Sequence, residues 1–452
     1  MTRRLALAAA VAAALSGNAA AQTPMARPVT SEPPAPISLT LDDAISRGVA
    51  ASHRLAETAA RGEAANAVAD QRRAASLPIA SVQAGYTRTN HIDAFGILLP
   101  NNQFNAIYPD VPDNYRTRLD LQWPIYTAGR LGALERAARA EASAAGDDLA
   151  AARADLRLEI TRAYWALVTS IESVRVVEES DARVAAHLKD VRNQFTAGLV
   201  PPNDVSTVEA QESRQRMLGV QARTTRDVAE SELARLIGVA PGIHIQPASP
   251  LTPPPVPSAT DGGQTLVEQA RGIRPERTAL TKRAAAADER RQAAAAGTKP
   301  FVAVGGGVDY ARPNPRVFPR EAAWRESWDA SVNVGWTLFD GGKTRAEIAE
   351  AAATKRAAEE RLADFDATLA VEVRQRASEL ESSRAAIAAA DDAVRSASEA
   401  RRVVSDRFTA GVATSTDVLD AQVALLQAEL DRTQAIANAR LAEARLARAL
   451  GR

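Results

Sequence analysis

The sequence predicts a mostly α-helical chain, internally duplicated, that lends four β-strands to a membrane barrel closed by several copies. Three observations carry this reading. They are a repeat at a constant offset of 213 residues, four alternating strand patterns, and two long proline-free helical runs with apolar seams.

The repeat shows first in two phrases, "QFTAGLVPPNDV" at residues 194–205 and "RFTAGVATSTDV" at residues 407–418. At the same offset Trp123 pairs with Trp336, Gly129 with Gly342, Ile160 with Val373, Leu167 with Leu380 and Gly238 with Gly451. No gap is needed over 116 positions. Chance does not hold register for that length, so the chain is two copies of one structural unit.

The chain opens with a basic pair, Arg3 and Arg4, then an apolar segment from Leu5 to Leu15 and a small-residue site, Ala19-Ala20-Ala21. That is the plan of a secretory signal over residues 1–21, cleaved before Gln22. Its apolar part is about half the roughly 20 residues a membrane-spanning helix needs. Residues 22–38 read as an extended leader, 39–245 as the first repeat, 246–263 as a proline-rich connector and 264–452 as the second repeat. Each repeat runs in one order. A helical pattern (residues 41–75 and 265–296) precedes a strand, a loop rich in Asn, Pro and Gly, and a second strand. A very long helix, a turn and a shorter helix follow.

Composition narrows the function. Lys plus Arg and Asp plus Glu are 55 each, so the net charge is zero and nothing favours a nucleic-acid partner. Without cysteine, disulfides, thiolate metal sites and cysteine nucleophiles are excluded, and a lipid anchor on an N-terminal cysteine is not expected.

The strands alternate. Leu119, Leu121, Trp123 and Ile125 oppose Arg118, Asp120 and Gln122, while Val332, Val334, Trp336 and Leu338 oppose Ser331, Asn333 and Gly335. A length of about ten residues suits a tilted strand crossing a bilayer. Taken alone, these strands fit a soluble antiparallel sheet equally well.

The long helices decide between the two. Residues 129–194 contain no proline and would stretch about 100 Å as one helix. One seven-residue seam holds Ile160, Leu167, Val174, Leu188 and Phe195, interrupted by Asp181. The other holds Leu149, Leu156, Ala163, Val177, Val184 and Val191, interrupted by Ser170. Two seams mean a neighbour on each side, as in a stave of a helical wall. Four strands are too few to close a barrel, and an open sheet in lipid leaves edges unsatisfied. Three chains would supply twelve strands.

With these elements in place, the chain resembles the TolC-like outer-membrane channel-tunnel proteins, the outer membrane efflux protein family. The likeness runs from "LTLDDAISRGVAASH" near residue 40 to "LARALG" at the C-terminal end, with the paired "FTAG…DV" turns as its most specific mark. It implies a homotrimer whose twelve-stranded barrel sits in outer-membrane lipid above a long periplasmic α-helical barrel. It also implies a passive exit duct of a tripartite efflux or type I secretion system, without catalysis or cofactor. A periplasmic adaptor (membrane fusion) protein and an inner-membrane transporter would open and load it. A periplasmic coiled-coil adaptor or scaffold without a barrel is the alternative. It explains the signal and the hairpins but not the paired strands. Nothing positive favours a secreted hydrolase.

The repeated phrases then become hairpin turns at the tunnel end far from the membrane. Gly198 and Gly411 suit a left-handed helix-ending position, Pro201-Pro202 a helix start, and Thr416 a cap for the last helix. The resemblance places adaptor contacts on Thr196, Ala197, Gly198, Leu199, Thr409, Ala410, Gly411 and Val412. It places the constriction on Asn203, Asp204, Phe408, Asp417 and Asp420. Asp417 and Asp420 are three apart and share a helical face. In a trimer each would form a ring of three carboxylates, which favours cations. The plainer alternative is a capping or solvated aspartate, a reading that weighs more for Asp420 than for Asp417. Some members carry a tyrosine where Phe408 stands and an arginine where Ala413 stands. The acidic entrance is therefore expected without that hydroxyl link or salt bridge.

Two motifs invite other chemistry. "DGGKT" at residues 340–344 lacks the glycine a phosphate loop needs five positions before Gly342, where Thr337 stands. The four histidines lack metal-ligand spacing, so no metal site is expected. The loops "NHIDAFGILLPNNQFNAIYPDVPDN" and "RPNPRVFPREAAWRE" should face the cell exterior. Cargo is not specified.

Overall fold

The computed structural model describes residues 36–101, 103–255 and 263–452. The expected signal, most of the leader and residues 256–262 of the connector lie outside them. In chain order the elements are β1 (Ile37–Leu39), α1 (Leu41–Ala51), α2 (His53–Ala74), β2 (Ile79–Arg88), β3 (Phe95–Leu98), β4 (Phe104–Tyr108) and β5 (Asp113–Tyr126). Then come α3 (Arg130–Thr196), α4 (Pro202–Ile237), β6 (Ile245–Pro247), α5 (Gly263–Ile273), α6 (Pro275–Ala295), β7 (Phe301–Arg312), β8 (Arg325–Gly335), α7 (Lys343–Thr409) and α8 (Ser415–Ala449).

Two helices of 67 residues each, α3 and α7, set the shape. Each starts after a left-handed glycine, Gly129 at φ 82° and Gly342 at φ 90°. Both seams of α3 are buried, Ile160, Leu167, Val174 and Leu188 in one and Leu156, Ala163, Val177, Val184 and Val191 in the other. The cause is its position, with α2 and α4 packed along it as well as α6 and α8. The helix α7 packs on α6 and α8, and α5 covers only the stretch around Leu369 and Val373. Beyond that stretch Ala390, Ala397 and Val404, spaced by sevens in a seam of α7, are accordingly only half-buried. The wall runs α4–α3–α8–α7 at the tip end and α2–α3–α6–α7 nearer the sheet.

Each expected first helix is broken in two. Ser52 ends α1 and caps α2 by accepting from the Leu55 N–H at 3.3 Å. Pro275 occupies the first turn of α6, and Arg274 before it is extended at ψ 117°. Midway along the wall, β1 and β6 form a short parallel pair. The buried Tyr164 ties it down, its hydroxyl donating to the Leu39 carbonyl at 3.1 Å and accepting from the Ser249 N–H at 3.2 Å.

At the opposite end from the tips, β2, β5, β7 and β8 form one antiparallel sheet in the order β2-β5-β7-β8. A single chain closes no barrel, and β2 and β8 are its edges. The strand pattern at Trp336 and Leu338 runs past the end of β8, where the Trp336 indole instead donates to the Thr298 carbonyl at 3.0 Å. A small antiparallel hairpin, β3–β4, stands within the connection between β2 and β5. Among the described residues, no helix is long and apolar enough to cross a membrane.

Candidate functional site

Both long helices end in the same turn. After α3, the Gly198 N–H reaches the Phe195 carbonyl at 2.9 Å and the Leu199 N–H reaches the Gln194 carbonyl at 2.9 Å. After α7, Gly411 bonds Phe408 at 3.0 Å and Val412 bonds Arg407 at 2.9 Å. This paired arrangement needs a left-handed residue, and both glycines sit at φ 73°. The turns leave Leu199 and Val412 projecting, 75 % and 63 % exposed.

The two tips lie side by side. Val184, Leu188 and Val191 of α3 pack with Val208 of α4, Phe408 of α7, and Val418 and Leu419 of α8. The His187 ring stands edge-on to Phe408, centroids 5.0 Å apart, and its Nε2 lies 2.9 Å from the buried Ser415 Oγ. Burial pushes the His187 pKa down, against smaller opposing pulls from Asp190 and Ser415. Phe408 thus faces the apolar interior, whereas its repeat counterpart Phe195 is 45 % exposed.

The acidic residues divide by role. Asp417 closes a capping box on α8, accepting from the Thr414 N–H at 2.8 Å and its hydroxyl at 2.7 Å, while Thr414 Oγ1 accepts from the Asp417 N–H. These bonds hold its carboxyl below the usual aspartate range. The cap is therefore Thr414 and not Thr416, because the helix starts at Ser415 and the capping side chain must precede it. Asp420, one turn on, is exposed beside Asp417. On the neighbouring hairpin Pro202 opens α4 as expected, and Asn203 donates to Asp204 at 3.0 Å. Thr196, Ala197, Thr409 and Ala410 are all exposed around the two turns.

The sheet supplies the second half of the site. Register places Val82, Leu119, Leu121, Trp123, Val304, Val308, Trp328, Val332 and Val334 on one face. Val82, Trp328, Val332 and Val334 there are exposed apolar side chains. At one end of that face Tyr86, Tyr115, Tyr310 and Trp324 touch ring to ring, and at the other stand Trp123 and Trp336. An apolar band between two aromatic girdles matches the lipid-facing surface of a membrane barrel. The other face is polar. Arg118 bridges Asp120, Asp309 and Asp329, and Arg116 holds Asp309 at 2.6 Å. Gly307 makes room for this network, since a Cβ there would lie 2.6 Å from Arg118 Nη2.

A membrane-type sheet joined to a wall of long helices with paired tips defines a channel-tunnel subunit. The sequence pattern of the outer membrane efflux protein family matches residues 44–239 and 266–452, and the chain belongs to that family. It is a TolC-like efflux channel protein of the outer membrane, with its helical tunnel in the periplasm, and the family's members are channels and not enzymes. Solved structures agree on the fold. The outer membrane protein VceC of Vibrio cholerae superposes with a TM-score of 0.76 at 21% identity, covering 91% of this chain and 96% of that one. A membrane protein from Pseudomonas aeruginosa gives 0.77 at 22%, covering 91% and 93%. The open MtrE channel of Neisseria gonorrhoeae gives 0.75 at 19%, covering 91% and 88%. No curated protein is significantly similar to the chain.

The "DGGKT" motif has a structural role. Asp340 of "DGGKT" accepts from the Gly342 and Thr344 N–H groups at 3.0 and 2.8 Å, so its own carboxylate caps the start of α7. No group of three or more His, Asp or Glu side chains among the described residues could hold a metal ion.

Proposed function

We infer that the chain is the exit duct of a tripartite efflux or type I secretion system, a passive homotrimeric channel from periplasm to exterior. One observation carries this reading. The two repeat turns stand together at one end, separated from the membrane sheet by helices about 100 Å long. An adaptor reaching up from the inner membrane meets that end first. Its contacts are Thr196 to Leu199 and Thr409 to Val412, whose exposed Leu199 and Val412 offer apolar anchors. An inner-membrane transporter delivers the cargo. Asp417 and Asp420, with Asn203 and Asp204 on the neighbouring hairpin, line the constriction. Phe408 acts from within, bracing the α7–α8 hairpin against α3.

The trimer is supported by what one chain leaves unpartnered. The edges β2 and β8, the half-buried seam of α7, and the exposed Met217, Val220 and Val228 of α4 lie on the two sides of the wall. Three copies joined edge to edge give twelve strands, an even count that closes a barrel in lipid. The test is single-channel recording of the detergent-extracted protein in a planar bilayer. Discrete, cation-favouring, low-conductance openings are expected. A silent bilayer with monomeric protein would overturn the reading.

A further inference from the structure

We propose that the loop at residues 313–320 forms a second constriction, at the outer mouth of the barrel. It belongs to the connection between β7 and β8, and it folds back over the polar face of the sheet. Asn314, 2% exposed, donates through Nδ2 to the Arg325 carbonyl and to Ser327 Oγ, both at 3.0 Å. Its Oδ1 accepts from the Arg316 N–H at 2.9 Å. Arg316 then donates to the Trp328 carbonyl at 2.8 Å and lies 3.3 Å from Asp329. Arg320 donates to Asn114 Oδ1 at 2.9 Å and to the Tyr108 hydroxyl, its guanidinium 4.7 Å above that ring.

Register identifies the side to which the loop is tied. Ser327, Asp329 and Asn114 all stand on the polar face with Arg116, Arg118 and Asp309. Four residues after Arg320, the chain crosses back, and Trp324 stacks on Tyr310 of the apolar face, centroids 5.0 Å apart. The connection is therefore hooked over the end of the sheet, gripping both faces. It cannot swing clear without breaking the Asn314 and Arg316 bonds on one side or the aromatic stack on the other.

The role of the loop rests on the channel reading above, in which the polar face looks into the bore. On that reading the loop occupies bore volume. Its crest carries Phe318, 76% exposed and midway in sequence between Arg316 and Arg320. Copies of this crest around a closed barrel narrow the exit and set an upper size for cargo. Lifting the loop costs the buried Asn314 its partners, so the exit is narrow at rest.

Planar-bilayer recording of the full chain tests this, in an Asp417→Ala/Asp420→Ala background so that the periplasmic entrance does not dominate the resistance. Asn314→Ala with Arg316→Ala should raise conductance roughly twofold and admit larger neutral polymers, because the narrowest radius controls both. The chain has no cysteine, so a second arm is clean. Phe318→Cys, modified from the outer side with a bulky cationic methanethiosulfonate, should lower the current, whereas the same reagent on Val332→Cys in the lipid-facing band should not. Unchanged conductance in the first variant, together with unchanged current in fully labelled Phe318→Cys, overturns the proposal. If the release variant fails to fold, the labelling arm decides alone. A background protein that opens no pores at all refutes the channel reading and not the loop's placement.

Discussion

Asp417 does two jobs that separate experimentally. It caps α8, and it contributes an exposed carboxylate at the tip. Asp420 makes no part of the cap, so Asp420→Ala should raise single-channel conductance without loosening the helix start. Adding Asp417→Ala should raise it further and weaken block by cations; unchanged conductance in both would remove these residues from the constriction. The sign of the pH effect follows from the lowered Asp417 pKa. A depressed carboxyl contributes above the ordinary aspartate value of about 3.9. That contribution is lost only as pH falls through the lower folded value. The cation preference due to Asp417 should therefore persist from neutrality to about pH 4 and fade in stronger acid. His187 follows the same direction in a higher pH window, but here the favoured form is the neutral one. Its folded pKa is depressed by burial, so the packing it joins is unpenalised above its ordinary value of about 6.5 and weakens as pH drops below it. Limited proteolysis at the tips should quicken between pH 7.5 and pH 5 in the native chain. A His187→Phe variant, which cannot take up that proton, should show a flatter profile.

At the scale of elements, identical substitutions should have opposite signs at different glycines. Gly198 and Gly411 hold φ 73° with nothing within 4 Å of a new Cβ, so alanine there meets only backbone strain. Each change should cost about 1 kcal/mol of stability. Gly146, inside α3 and also free of contacts, has no such φ. Gly146→Ala should instead stabilise by about 0.5–1 kcal/mol. Chemical denaturation of the three variants against the native chain checks both. Equal effects at all three positions would mean that the turns relax to right-handed geometry.

For the whole molecule, the two faces of the sheet make unequal demands. Val332 lies in the apolar band and Ser331, its neighbour, on the polar face. Val332→Arg places a guanidinium in lipid near mid-strand, at a cost of about 3 kcal/mol per chain, while Ser331→Arg faces water. The first should abolish heat-resistant oligomers in outer-membrane extracts and the second should preserve them. Loss in both, or in neither, would contradict the assignment of faces.

Much of this architecture is legible in the sequence because it depends on local periods. The two seams of α3 and the alternation along β5 and β8 repeat at spacings set by helix or strand geometry, and the turn glycines Gly198 and Gly411 show through the 213-residue duplication. Other features depend on which surfaces meet. The phrases around Phe195 and Phe408 match, yet only Phe408 is buried, because the α7–α8 hairpin turns it toward α3 while Phe195 has no such neighbour among the described residues. The break at Ser52 hides inside a helical pattern, since serine is an ordinary helix-surface residue until its side chain finds a backbone N–H. Three-residue strands such as β1 and β6 are too short to show a period, and their pairing is fixed by groups far away in the chain, among them Tyr164 and Glu230. The fold-back at Asn314 and Arg316 likewise rests on partners in β8 that no spacing announces. The sequence by itself thus determined the elements and their apolar faces, since these follow from bonding between near neighbours. Tertiary structure alone decided which of two equivalent faces would be covered and where the loops would lie, because burial is a property of surfaces brought together across long stretches of chain.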